Sequence, residues 1–283
     1  LDSSEKGYFK KFAYKGEAAK DSAYLKLFDS IDKQSDYDEP KLIKKFSGAK
    51  MPAFSVLKNH LYNLLLNSLK EFQRKHSIHA QIHSWLEEID VLYKKRLYNQ
   101  AEKVRKKAFK LAVLHEKFHL VVELYRWEEE LLHMTDDLAG IQRFLDSGFK
   151  KEYENFEAMK NYRESRELCI RFFKLIREDM SIRSEDRKKE MAAIMKHPLL
   201  TDENNSLSVK AKSQFFYVMA KHSRMAGDME QSYIFRKKHV ALVEANPQFI
   251  TESRMTYLRT LNNLLVAQYS LGKFEEMENT LDK

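Results

Sequence analysis

The chain has 283 residues, enough for one large domain or two smaller ones, and its 7 glycines and 4 prolines are too few for the turns of a sheet protein. Charged residues make up 33% and apolar ones 43%, which excludes global disorder and predicts a packed core. A net charge of +8 is small beside 50 basic and 42 acidic residues, and the two signs are mostly interspersed, as on solvated helix faces.

Pro40, Pro52, Pro198 and Pro247 all fall between apolar-periodic segments, where proline stops helices rather than kinking them. Residues 1–75 therefore read as an N-terminal helical unit. Asp2 or Ser3 caps a helix that runs through about residue 14, with Tyr8, Phe9 and Phe12 on its apolar side, and Gly16 ends it. A second helix runs from Asp21 or Ser22 to about residue 33 and buries Tyr24, Leu25, Leu27, Phe28 and Ile31. A short third helix covers 39–46, after which Gly48 and Pro52 interrupt. The fourth, over 53–73, sets Phe54, Leu57, Leu61, Leu64, Leu65, Leu69 and Phe72 at three-and-four spacing. Such a set matches a winged-helix variant or a solenoid cap, and the missing strand alternation favours the cap. The start at Leu1 and the end at Asp282-Lys283 within a helical pattern read as trimmed boundaries.

From residue 76 to 283 helical segments alternate with very short breaks, which makes neighbours pack antiparallel. Trp85, Ile89, Leu92, Tyr98, Ala101 and Ala108 place a large residue on one helix, then an aromatic and two alanines on the next. This segment resembles the tetratricopeptide repeat, whose small residues let helices approach closely. Weaker copies follow in Phe149, Tyr153, Phe156, Tyr162, Ser165 and Phe172, with Lys160 at the turn. Phe216, Met219, Ala220, Gly227, Met229 and Ser232 form another. Leu261, Leu264, Leu265, Gly272, Phe274 and Met277 form the last. The first two intervals between the turns at Arg96, Lys160, Gly227 and Gly272 are close to twice the repeat's roughly 34 residues. They leave room for an atypical hairpin over 118–134 and 138–147. The last interval departs from the family spacing. The resemblance implies an all-α fold, a right-handed superhelix of antiparallel helical hairpins behind the N-terminal cap.

It also implies a concave groove lined by the first helix of each pair. By register the groove takes Asp90, Tyr93 and Lys94, then Glu154 and Glu157, then Tyr217, Lys221 and Arg224, and finally Arg259, Asn262 and Tyr269. Its C-terminal half is basic with interleaved aromatics, suited to an acidic segment or a chain terminus of a protein or peptide partner.

The sharpest chemical motif is His115-Glu116-Lys117-Phe118-His119, a match to H-E-x-x-H. On one continuous helix the two histidines would hold zinc while the glutamate activates water. Lys117 beside a dication, the expected helix break across the motif and the unmarked third ligand all speak against that zinc hydrolase. His76, His79 and His83 are spaced to share a helix face and could offer imidazoles to a transition metal, but a partly exposed helix start beside Trp85 is the favoured reading. Cys169, the single cysteine, excludes an intramolecular disulfide framework, fits a reducing, cytoplasmic compartment and sits in an apolar stretch as a buried thiol. Trp127 and Glu128-Glu129-Glu130 read as packing and a solvated face. No apolar run approaches the roughly 20 residues that span a bilayer. The basic runs Lys94-Lys95-Arg96, Arg105-Lys106-Lys107, Arg187-Lys188-Lys189 and Arg236-Lys237-Lys238 are too dispersed for a typical nucleic-acid binder. The expected function is a non-enzymatic interaction scaffold that uses no cofactor and no metal, with the zinc hydrolase and a basic nucleic-acid binder as alternatives.

Overall fold

A computed structural model describes residues 1–13, 23–46, 53–178 and 184–283, and no strand occurs among them. No helix among these residues is long and apolar enough to cross a membrane. The chain divides into two compact units, Leu1–Ser84 and Trp85–Lys283. Each unit forms for reasons visible in its own residues.

The first unit holds α1 (Ser3–Ala13), α2 (Ala23–Asp32), α3 (Glu39–Phe46) and α4 (Phe54–His76). Asp2 starts α1: its carboxylate accepts from the Glu5 N–H at 2.8 Å, and the Glu5 carboxylate accepts from the Asp2 N–H at 2.9 Å, a reciprocal cap. The expected ends at residues 14 and 16, the caps Asp21 and Ser22, and the breakers Gly48 and Pro52 lie outside the described residues. Phe9, Leu27, Leu42, Leu57 and Leu61 form the core, with the Phe9 and Phe28 rings 4.6 Å apart.

α5 (Ile78–Lys94) carries the division between the units, and it is followed by α6 (Tyr98–Leu114), α7 (Phe118–Thr135) and α8 (Leu138–Arg143). α8 passes through the π-turn Phe144–Gly148 directly into α9 (Phe149–Glu178). Then come α10 (Glu185–Met195), α11 (Pro198–Thr201), α12 (Val209–Met225), α13 (Met229–Glu244), α14 (Pro247–Glu252), α15 (Arg254–Ser270) and α16 (Phe274–Leu281). In the second unit α6 packs on α7, α7 on α9, α9 on α12, α12 on α13, α13 on α15 and α15 on α16. Ala101 and Ala108 on α6 have no exposed surface, and Leu124 on the facing α7 has none either. Phe172 and Val218, also fully buried, anchor the core that α9, α10, α11 and α12 share.

Chain reversals fall at left-handed residues: Arg96 (φ +60°), Glu116 (+47°), Asp136 (+48°), Gly227 (+83°) and Gly272 (+69°). The turns expected at Arg96, Gly227 and Gly272 are present. The one expected at Lys160 is not, because α9 runs unbroken through it. Residues 149–178 contain neither glycine nor proline to end a helix, so the second repeat copy is one long helix rather than a hairpin. The break expected after residue 147 is likewise absent. Gly148 serves the π-turn instead, where a Cβ would come within 2.5 Å of the Phe144 ring. The irregular last interval is filled by α14, with Pro247 in its first turn, where a missing N–H loses nothing.

Candidate functional site

The H-E-x-x-H motif lies across a turn. α6 ends at Leu114, Glu116 is left-handed and α7 begins at Phe118, so no continuous helix presents His115 and His119 to one ion. The motif does mechanical work instead. The Glu116 carboxylate accepts from the N–H groups of Val209 at 2.7 Å and Lys210 at 3.0 Å, capping the positive end of α12. Lys210 Nζ donates back to the carbonyls of His115 at 2.7 Å and Glu116 at 3.0 Å. His115, only 4% exposed, lies 3.1 Å through Nδ1 from Glu252 Oε2, and Lys117 pairs with the same carboxylate. Burial, reinforced by Lys117, lowers the pKa of Lys210, while Lys117 holds Glu252 below the usual carboxylate range even though burial opposes it.

The three-histidine face does not form as expected. Ser77 is extended (φ −115°, ψ 121°) and separates α4, which ends at His76, from α5, which carries His79 and His83. The latter two share a face, with their Nε2 atoms 3.2 Å apart.

The predicted groove residues divide. Tyr93 is half-buried between the Tyr98 and Trp127 rings, 5.6 and 5.5 Å away, and its hydroxyl donates to Glu130 at 3.4 Å. Lys94 pairs with Asp90 at 2.6 Å. Glu154 and Glu157 edge a shallow apolar depression with Tyr153 and Leu207. Tyr269 is 68% exposed, edge-on to Phe274. Tyr217 and Arg259 meet in one cleft of about 680 Å³ between α9, α12, α13 and α15. Asn262 is exposed and does not line it, but the adjacent Asn263 does. Lys221 and Arg224 continue the Tyr217 face of α12 one and two turns on, and Arg224 lines a small pocket that shares Asn263 with the cleft.

α9 contributes one wall of the cleft through Arg166, Cys169, Ile170, Phe173, Lys174 and Arg177, all on one helical face. No carboxylate lines it among the described residues. The Phe173 and Tyr217 rings stack at 5.0 Å, and the Arg236 guanidinium sits 5.5 Å from the Tyr217 centroid. On the floor, Ser213 Oγ lies 2.7 Å from His239 Nε2. Burial, and then the neighbouring Arg236, push His239 down to about 4, so it is neutral at pH 7. Burial pushes the Cys169 thiol up, which leaves it protonated and unreactive. Of the six buried side-chain polar atoms without a partner among the described residues, three belong to α12 and α13 at or beside the cleft: His239 Nδ1, Gln214 Oε1 and Arg236 Nη1.

A second cavity of about 750 Å³ between α6, α7 and α8 has the opposite character. Its buried Arg105 pairs with Glu102 at 2.6 Å and Glu128 at 3.0 Å. Arg105 there is held by carboxylates; among the described residues the cleft lining offers none.

No protein-family model matches this chain, and no curated protein or solved structure matches it.

Register within hairpins does not reach Arg166, Lys174 and Arg177, because it breaks α9 at Lys160. It misses Arg236 because Arg236-Lys237-Lys238 reads as a surface run, yet Tyr233 and Val240, three residues before and four after, place Arg236 on the buried face of α13.

Proposed function

We propose that this protein is a non-enzymatic interaction scaffold that grips an acidic segment or chain terminus of a protein partner in the cleft between α9, α12 and α15. One observation carries the reading: Arg166, Arg177 and Arg259 line a cleft without a single described carboxylate. Charge-assisted bonds from these side chains would orient an acidic ligand, and the Phe173–Tyr217 pair would add contact area. In this reading residues 76–283 form a divergent tetratricopeptide-like array whose hairpins build a right-handed superhelix. The left-handed turns at Arg96, Gly227 and Gly272 and the buried alanines of α6 support it.

The Ser213–His239 pair does not argue for catalysis. A nucleophilic serine needs its imidazole oriented by a third group, and His239 Nδ1 has no partner among the described residues.

Binding of short Asp- and Glu-rich peptides, compared with neutral peptides of equal length, tests the proposal. Acidic peptides should bind at least about tenfold tighter. Arg259→Glu should abolish that preference, and Arg224→Glu should weaken binding without lowering Tm, since both side chains are exposed. Equal binding of acidic and neutral peptides would overturn the reading. A fall in Tm together with lost binding in Arg224→Glu would make that residue structural.

A further inference from the structure

Arg236 is the residue that a simple acidic-peptide cleft leaves unexplained. It is 6% exposed, no carboxylate lies within ion-pair distance among the described residues, and Nη1 has no hydrogen-bond partner. A buried guanidinium without an anion is costly, and the same chain shows the usual solution at Arg105, which is held by two carboxylates. Arg236 has instead two more cations for neighbours: burial and then Arg224 and Arg236 lower the pKa of Lys221. The missing partner is an anion that none of the described residues supplies.

The geometry also says how an anion would arrive. Arg236, Arg224, Ser232 and Ser270 line a small pocket of about 20 Å³, which opens beside the cleft at Asn263. That is room for one oxygen-sized atom. An oxyanion at the mouth would insert one oxygen and leave the others facing Lys221 and Arg224. A carboxylate brings one charge and two oxygens. A phosphate monoester brings roughly 1.5 to 2 charges and three strong acceptors, and it suits the planar fork of arginine.

Resting on the interaction reading above, we propose that the cleft recognises a phosphorylated segment of its protein partner, with Arg236 binding the inserted phosphoryl oxygen and Lys221 and Arg224 neutralising the remaining charge. Recognition is then switched on by phosphorylation of the partner. The cations of the main cleft take up acidic residues flanking the phosphate.

The test uses the full chain and three probes: a short acidic peptide with one phosphoserine, the same peptide with glutamate there, and inorganic phosphate. The phosphopeptide should bind about tenfold tighter than the glutamate peptide. Inorganic phosphate should compete only weakly. Arg236→Gln should reduce the phosphate preference to within about twofold, and should the buried change unfold the chain, Lys221→Gln with Arg224→Gln serves in its place. Equal affinity for the two peptides, with sensitivity to Arg259→Glu retained, overturns phosphate recognition while the acidic-cleft reading stands. No binding of either peptide overturns both. Inorganic phosphate binding as tightly as the phosphopeptide also overturns the proposal, because the ligand would then be free phosphate.

Discussion

His239 couples the cleft to pH. The unfolded chain protonates a histidine near its ordinary value of 6.5, whereas burial and Arg236 hold the folded value at about 4. Between those values the unfolded chain binds a proton that the folded chain refuses. Stability is therefore level above pH 6.5 and falls as pH drops toward about 4, by up to roughly 3 kcal/mol. His222, also lowered by burial, adds to the loss with the same sign. Glu252, held low by Lys117 against the effect of burial, contributes stability that is lost only at more acid pH, as its carboxylate protonates. Urea unfolding at pH 7 and pH 5 isolates the histidine: His239→Gln should shrink the difference between the two by more than half. An unchanged difference would mean that His239 is charged in the folded protein.

Elements begin and end where local chemistry says they should, and the glycines make this measurable. Gly227 has φ +83° with nothing within 4 Å of an added Cβ, so Gly227→Ala suffers backbone strain without a clash and should cost about 1–2 kcal/mol. Gly7 lies inside α1, also with open space, so Gly7→Ala should stabilise by up to about 1 kcal/mol. Thermal melts that moved both variants the same way would break the argument. The same local chemistry made most helices legible from the sequence. Apolar spacing located α3 and α4, and Gly227 and Gly272 marked two reversals. α9 was not legible, because its aromatic spacing fits a hairpin and a continuous helix alike. Only the absence of glycine and proline distinguishes the two. That ambiguity hid half the cleft: Tyr217 and Arg259 followed from register within hairpins, but Arg166 and Arg177 required knowing that α9 continues past Lys160. Arg236 was concealed by its two basic neighbours, and its burial follows from tertiary packing against α12 and α15.

Across the second unit, contacts between residues far apart in sequence decide whether the helices act together. The clasp at 115–117 binds the start of α12 through Glu116 and the end of α14 through Glu252, and Lys210 is common to both halves. A depression lined by Lys210, Glu252, Ser213, Gln214 and Thr256 lies beneath the clasp, and the last three also line the cleft. Loosening the clasp should therefore be felt at the ligand. Glu116→Ala removes two N–H partners and should cost about 1–2 kcal/mol. Glu252→Gln leaves Lys117 and Lys210 facing each other and should cost about 1–2 kcal/mol, a modest figure because the Glu252 side chain is 27% exposed. If Lys210 joins the two contacts into one device, the double variant will lose less than the sum of the single losses, by at least about 0.5 kcal/mol. Strict additivity in denaturant unfolding would instead mean two independent contacts. In the coupled case, each single variant should also weaken acidic-peptide binding severalfold, although neither residue lines the cleft.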